Sequence, residues 1–406
     1  MHLSNKLLLD LAKTYSTPLY VYNGDLIKQR YQELYKFIAY PKLQIYYAMK
    51  ANYNPAILKL LLGLGARIDT VSPAECLFCL KLGFQPEQML FTANSFTDHD
   101  MQLVHDKGIL FNIGSLSELN RYGQNFPGSR ICLRFNPAVV AGAHEKIMTG
   151  GDLTQFGILL EDLEQAKELV KKHQLHVVGL HEHTGSGIKE MEKYLQAMSN
   201  TLALARKENF PELEFVDFGG GFGVSYHPNE ERIDYLGFGK TATAMFNSTC
   251  QTFGRELSFF FEPGKYLVAE AGYLLVQINT LKNNKGRLIA GCNSGFPQLI
   301  RPMFYDAYHH IENLSNPQGT EKVYDVCGNI CETGDRFATN RALAEIREGD
   351  ILSIQNAGAY CYAMGGIYNM RPMPTEIIVI DGQAKLARKA LNHEQLAQSI
   401  LNECSL

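Results

Sequence analysis

Between residues 44 and 264, short runs of β-branched and aromatic residues alternate with longer stretches of helical periodicity, which confines the chain to very few architectures. Strand candidates are 44–49, 66–71, 88–92, 109–113, 130–135, 175–181, 213–217 and 257–261. The segments between them repeat apolar residues at the spacing of one helix face. Met191, Tyr194, Leu195, Met198, Leu202 and Ala205 form one such face, and Leu159, Leu163, Ala166 and Val170 another. Eight strand-then-helix units in about 220 residues match a (β/α)8 TIM barrel, because right-handed crossovers close such units into one sheet. An open doubly wound sheet is the alternative, and the placement of polar residues separates the two. Lys50 follows the first strand, Asp69 and Arg134 stand late in the second and fifth, and His183 follows the sixth. Gly219 to Gly221 follow the seventh and Glu262 ends the eighth. A barrel collects all of these at its C-terminal mouth, where barrel enzymes keep their chemistry.

Past residue 265 the rhythm changes to strand-like runs at 273–281, 287–291, 323–327, 351–355 and 376–380, separated by Gly, Asn and Pro turns. Asn283-Asn-Lys-Gly286 reads as a hairpin turn between the first two. The expected division is an N-terminal segment at 1–23 packing on the β domain, a barrel at 24–265, and a mostly β domain at 266–406. Thr17-Pro-Leu-Tyr-Val-Tyr22 is the strand-like part of that first segment.

Composition excludes several classes. A net charge of -4 over 406 residues, with no Lys/Arg block, lacks the footprint of a nucleic-acid binder. The longest apolar runs, such as 257–261, fall far short of the ~20 residues that cross a bilayer. The N-terminus has no apolar core or cleavage site of a signal peptide, and nine scattered cysteines suit a reducing compartment, so a cytoplasmic location is expected. Cys76 and Cys79 form a C-x-x-C without a second pair, at the spacing of successive turns of a buried helix.

Lys50 ends an apolar strand in Tyr46-Tyr-Ala-Met-Lys-Ala-Asn52, a dry setting in which a lysine pKa is expected to fall, suiting a base or a Schiff base. A snorkelling rim lysine is the structural alternative. Gly219-Gly-Gly-Phe-Gly223 fits a phosphate cradle of backbone N–H groups, or simply a chain reversal. His181-Glu-His-Thr-Gly-Ser-Gly187 sets two histidines on one face of a strand end, which also suits a metal. Against a metal, the other strand ends show no His, Asp or Glu cluster at hydrolase spacing. Glu262-Pro-Gly264 places a carboxylate in the mouth, or marks a structural turn. A lysine, a glycine loop, a carboxylate and an imidazole around one mouth together meet the needs of pyridoxal phosphate.

These motifs, with His144-Glu-Lys-Ile-Met-Thr-Gly150, Gln155-Phe-Gly-Ile158, Leu299-Ile-Arg-Pro-Met-Phe-Tyr305, Cys331-Glu-Thr-Gly-Asp335 and Gly358-Ala-Tyr360, resemble the barrel-type, alanine-racemase-fold pyridoxal-phosphate decarboxylases of basic amino acids. The likeness runs from about Thr17 to about Val379. It implies Lys50 as the Schiff-base lysine, His183 stacked on the cofactor ring, and Glu262 paired with the pyridine nitrogen. It places Asp69, Ser186, Gly220, Gly221, Pro263, Gly264 and Tyr360 around the cofactor. On the substrate side it implies Lys265, Arg301, Tyr305 and Tyr360, with Glu332 on the distal amino group and Cys331 as proton donor to the α-carbon. The Cys-Glu pair is expected to enter the partner subunit's barrel, which makes the protein a homodimer with shared sites. The implied reaction is decarboxylation of meso-2,6-diaminopimelate to L-lysine; the competing readings are another diamine precursor such as ornithine, arginine or carboxynorspermidine, and a non-catalytic regulatory protein. Lys265 stands where Arg is usual, keeping the charge and losing the planar fork. Gln155 and Asn356 also depart from the common pattern, and 142–154 is the expected lid.

Overall fold

The computed structural model describes residues 2–142, 150–151, 154–231 and 233–403. Their strands begin with β1 (Leu19–Asn23), which precedes a closed parallel barrel of β2 (Leu43–Ala48), β3 (Arg67–Thr70), β4 (Met89–Phe91), β5 (Leu110–Ile113), β6 (Arg130–Arg134), β7 (His176–His181), β8 (Phe215–Asp217) and β9 (Ser258–Phe261). Each overlaps one of the eight expected runs. Alternation along a strand sends residues two apart to the same side. Cys132 and Arg134, Phe215 and Asp217, and Phe260 and Glu262 follow that spacing. The lower members join Tyr46, Leu90 and Val178 in one apolar cluster, while the upper members are ionisable residues of the mouth. The polar layer thus stands one residue pair above a packed apolar plug, which keeps bulk water from reaching it from below.

The second domain is a nine-stranded sheet. Its remaining strands are β10 (Gly272–Asn284), β11 (Arg287–Cys292), β12 (Ile311–Asn313), β13 (Glu321–Cys327), β14 (Arg336–Ala344), β15 (Ile351–Ile354), β16 (Thr375–Ile380) and β17 (Gln383–Arg388). The path is β14-β13-β11-β10-β1-β16-β17, with β15 on β10 and β12 on β15. β1 lies antiparallel to β10 and parallel to β16, so the chain starts in the sheet and then crosses into the barrel. Lys285 (φ 53°) and Gly286 (φ 93°) form the hairpin turn between β10 and β11. Three strands have no counterpart in the sequence reading: β12, β14 and β17. The last two are the sheet's edges, and their exposed Thr, Asn, Gln and Lys positions hide the apolar alternation.

Backbone contact fixes the domains to one another. Gly358 N–H donates to Ala269 O at 3.1 Å and Ala357 N–H to Gly272 O at 2.8 Å. Asn52 Nδ2 donates to Gly358 O at 2.9 Å, and Tyr360 N–H to Ala51 O at 2.8 Å, so this loop grips the turn that carries Lys50. A side chain at 358 cannot be accommodated, since its Cβ would lie 1.7 Å from Val268 O, a backbone atom. Gly358→Ala is therefore expected to cost about 3 kcal/mol or more in denaturant unfolding, at the upper end of overpacking penalties. Gly366→Ala, where nothing lies within 4 Å, serves as the comparison and stays within about 0.5 kcal/mol. Equal stabilities for the two variants would refute the tight docking.

Candidate active site

Lys50 sits in the single 3-10 turn Met49–Ala51 directly after β2. Its Nζ donates to Asp69 Oδ2 at 2.8 Å, and the Asp69 side chain is fully buried on β3. Burial alone would lower the lysine pKa, but the charges of Asp69 and Glu262, with Tyr360, outweigh it and leave the ammonium raised above its ordinary value. This corrects the expectation of a lowered pKa: the barrel closes two carboxylates onto the amine, and no reading of strand two alone shows the second.

The glycine run after β8 is held by its carbonyls and amides. Tyr194 Oη lies 2.7 Å from Gly220 O and donates to it. Glu262 N–H donates to Gly219 O at 2.7 Å, and Gly219 N–H to Asp217 Oδ1 at 2.9 Å. Gly220 N–H donates to His183 Nδ1 at 3.1 Å, so that nitrogen carries a lone pair. Burial, with the nearby Arg134 and Lys50 cations, pushes His183 well below the ordinary imidazole value and keeps it neutral. A Cβ at Gly220 would meet Glu262 O at 2.6 Å, and one at Gly221 (φ 119°) would meet Ile188 at 2.9 Å. These glycines leave a cradle of bare backbone beside a small cavity lined by Lys50, His183, Ser186, Glu262, Gly264 and Tyr360.

A second cavity of about 450 Å³ adjoins it, sharing His183, Ser186, Lys265 and Tyr360 and adding Arg301 and Tyr305 from the β domain. Arg301 is buried, and its Nη1 donates to Tyr226 Oη at 2.9 Å and to His309 Nε2 at 3.1 Å. His309 Nδ1 lies 2.8 Å from Gln355 O, which places its proton there and leaves Nε2 to accept. Burial, reinforced by Arg301, pushes His309 down to about 3, consistent with a neutral acceptor. Lys265 is 7% exposed. Burial and the Arg301 guanidinium push its ammonium down to about 7, so the charge that sequence reading credits to Lys265 is only partly present at neutral pH. Among the described residues no carboxylate pairs with Lys265 or Arg301, and two buried cations facing one cavity favour an anionic occupant.

Cys331 and Glu332 are exposed and line neither cavity, with Asn369 Nδ2 donating to Cys331 Sγ at 3.1 Å. The apolar, partly buried setting expected for the thiol is therefore absent within one chain. Pro263 is in the turn above β9, where its carbonyl accepts from Ala48 N–H at 3.4 Å. Gln155 is exposed, and Asn356 Nδ2 donates to Ser225 O at 3.2 Å. Cys76 and Cys79 are buried in the helix Pro73–Leu82. Most of the expected lid, 143–149 and 152–153, lies outside the described residues. His181 and His183 do not act as a pair; His181 instead meets Asp217 and Glu262, their ligand-type atoms within 4.8 Å of one another. That group assembles in space from three strand ends and has no counterpart in the sequence spacing. Asp217, Tyr226 and His309 were not singled out from sequence. A carboxylate directly before the glycine run was the available sign of the first, whereas only tertiary contact reveals the other two.

Pyridoxal phosphate fits these residues: an amine, a glycine cradle of bare backbone, a neutral imidazole, and the buried carboxylate of Glu262. The fold and site are those of a barrel enzyme built around such a cofactor. Residues 25–269 match the family model described as "Pyridoxal-dependent decarboxylase, pyridoxal binding domain". The chain is 39% identical to a diaminopimelate decarboxylase of Methanothermobacter thermautotrophicus, over 94% of this chain and 91% of that one. It is 33% identical to that of Aquifex aeolicus, over 97% and 94%. The crystal structure of diaminopimelate decarboxylase from Helicobacter pylori complexed with L-lysine superposes with a TM-score of 0.88 at 30% identity, covering 98% of this chain and 100% of that one. The chain belongs to the pyridoxal-dependent decarboxylases, and its cofactor is pyridoxal 5'-phosphate.

Asp69→Asn removes the larger of the two carboxylate charges that raise Lys50. Acylation of Lys50 in the cofactor-free protein at pH 8, followed by mass spectrometry, is expected to speed up about tenfold, the equivalent of one pKa unit. An unchanged rate would show that Asp69 does not control the amine.

Proposed function

We propose that this protein decarboxylates meso-2,6-diaminopimelate to L-lysine and carbon dioxide, the last step of lysine biosynthesis. The observation that carries the substrate assignment is the pair of buried cations, Arg301 and Lys265, in a cavity that adjoins Lys50 and His183. Diaminopimelate has a carboxylate at its non-reacting end, which meets that pair and Tyr305. Ornithine, arginine and lysine have none and leave the Arg301 guanidinium without an anion in a desolvated cavity, a penalty that selects against them. The named relatives support the same reading.

Bound pyridoxal phosphate supplies an electron sink conjugated to the substrate α-carbon. Lys50 holds it covalently, with Asp69 steering the amine. Ser186, Gly220, Gly221, Pro263, Gly264 and Tyr360 surround its phosphate, His183 packs on its ring, and Glu262 provides the anionic partner for the ring nitrogen. Arg301, Lys265, Tyr305 and Tyr360 orient the substrate so that the departing carboxylate leaves a site closed to water. Cys331 Sγ delivers the proton to the α-carbon, and Glu332 takes the distal ammonium. Their exposure within one chain supports a homodimer in which each subunit completes the other's site. A reducing cytoplasmic location suits the eight described cysteines, all free thiols. Among the described residues no helix is long and apolar enough to cross a membrane.

Purified, cofactor-loaded protein is expected to release lysine and carbon dioxide from meso-diaminopimelate and nothing from ornithine or arginine, and Lys50→Ala to abolish turnover. Turnover of ornithine with diaminopimelate inert would overturn the substrate assignment. Arg301→Ala raises KM by about 100-fold or more, the loss expected for a buried charge-assisted contact. Lys265 is charged below its pKa of about 7 and loses the charge as pH rises through it. KM therefore climbs above neutrality, approaching about tenfold per pH unit, and Lys265→Arg flattens the climb. Mixing inactive Lys50→Ala and Cys331→Ala subunits restores about a quarter of the wild-type activity if sites are shared in a dimer, and none if each chain works alone.

A further inference from the structure

Two buried polar residues beneath the inner cavity have no role in the account above: His181, ending β7, and Asp217, ending β8. Both are fully buried, and His181 Nε2 lies 3.3 Å from Glu262 Oε2. Although the three side chains cluster closely enough to suggest a cation site, Lys50 and Arg134 already press positive charge on His181, and a third cation there would be repelled.

The protons can be placed instead. His181 Nδ1 is buried without a hydrogen-bond partner. A proton there would be an orphaned donor, so the ring carries it on Nε2 and donates to Glu262. Burial, with Arg134 and Lys50, holds the ring neutral, far below the ordinary imidazole range. Asp217 Oδ1 accepts from Gly219 N–H, while Asp217 Oδ2 and Glu262 Oε1 are both buried and unpartnered as acceptors. One shared proton satisfies both oxygens. Burial, and then the charge of Glu262, drive the Asp217 carboxyl well above the carboxylate range, so the proton resides on Asp217. The same hydrogen bond stabilises ionised Glu262 against the burial that raises its pKa. The facing charges are then Lys50 and Arg134 against Asp69 and Glu262, with Glu182 pushed up by burial to about 8 and protonated at neutral pH.

We propose that His181 and Asp217 are positioning residues for Glu262, two uncharged donors on adjacent strands whose hydrogen bonds hold its carboxylate ionised and aimed at the cofactor ring. The proposal rests on the reading of Glu262 as the partner of the ring nitrogen.

The test uses cofactor-loaded enzyme carrying Asp217→Asn, Asp217→Leu, His181→Gln or His181→Met, with Glu262→Gln in parallel, and reads the visible absorbance of the bound cofactor against pH together with kcat and KM. Asn and Gln keep an uncharged donor and are expected to preserve the absorbance profile, with kcat within about threefold. Leu and Met remove the donor and are expected to shift the profile by about one pH unit or more and lower kcat by about tenfold, with KM little changed. If Leu or Met prevents folding, the Asn and Gln variants decide: a preserved profile supports neutral donors, and a shifted profile overturns them. Leu and Met profiles identical to wild type would also overturn the proposal, since packing alone would then suffice. If Glu262→Gln itself leaves the absorbance and kcat unmoved, the underlying reading of Glu262 fails instead.

Discussion

The site depends on one ion pair, half-buried Lys50 with fully buried Asp69 at 2.8 Å, where the Asp69 charge left unpaired would be costly. The pair survives because the barrel supplies a balanced set around it, Arg134 and Glu262 adding one charge of each sign. An apolar plug of Tyr46, Leu90, Cys132, Val178, Phe215 and Phe260 closes the floor, so these charges act on one another with little screening from water. An amine that is both reactive and fixed in place requires this combination.

The second constraint is the seam between barrel and sheet. Arg301, Tyr305 and Tyr360 all come from the β domain, yet they line the same space as Lys50 and His183. Their position follows from the close backbone approach at Gly358, and from Tyr360 hydrogen bonding to the turn that bears Lys50. Both domains therefore contribute to one site: Lys50, His183, Glu262 and Lys265 come from the barrel and its end, and Arg301, Tyr305 and Tyr360 from the β domain.

Much of this was legible in the chain itself. All eight barrel strands fell on apolar runs, since a strand buried on both faces writes a nearly continuous apolar signal. The ring of strand-end residues followed from period-two alternation once the barrel was assumed. What escaped sequence reading depended on neighbours distant in the chain. β14 and β17 are charged edges with weak patterning. Burial and the Arg301 guanidinium lower the pKa of Lys265, and Asp69 and then Glu262 raise that of Lys50, groups brought near only by closure and docking. The proton shared by Asp217 and Glu262 likewise exists only after β8 and β9 pair.

The central claim is that Lys50, and no other lysine, carries the cofactor. Borohydride reduction of the cofactor-loaded protein, followed by peptide mapping, tests this directly. The pyridoxyl group is expected on the peptide containing Met49-Lys50-Ala51. A label on Lys265, the buried lysine shared by the two cavities, or no stable label at all, would contradict it.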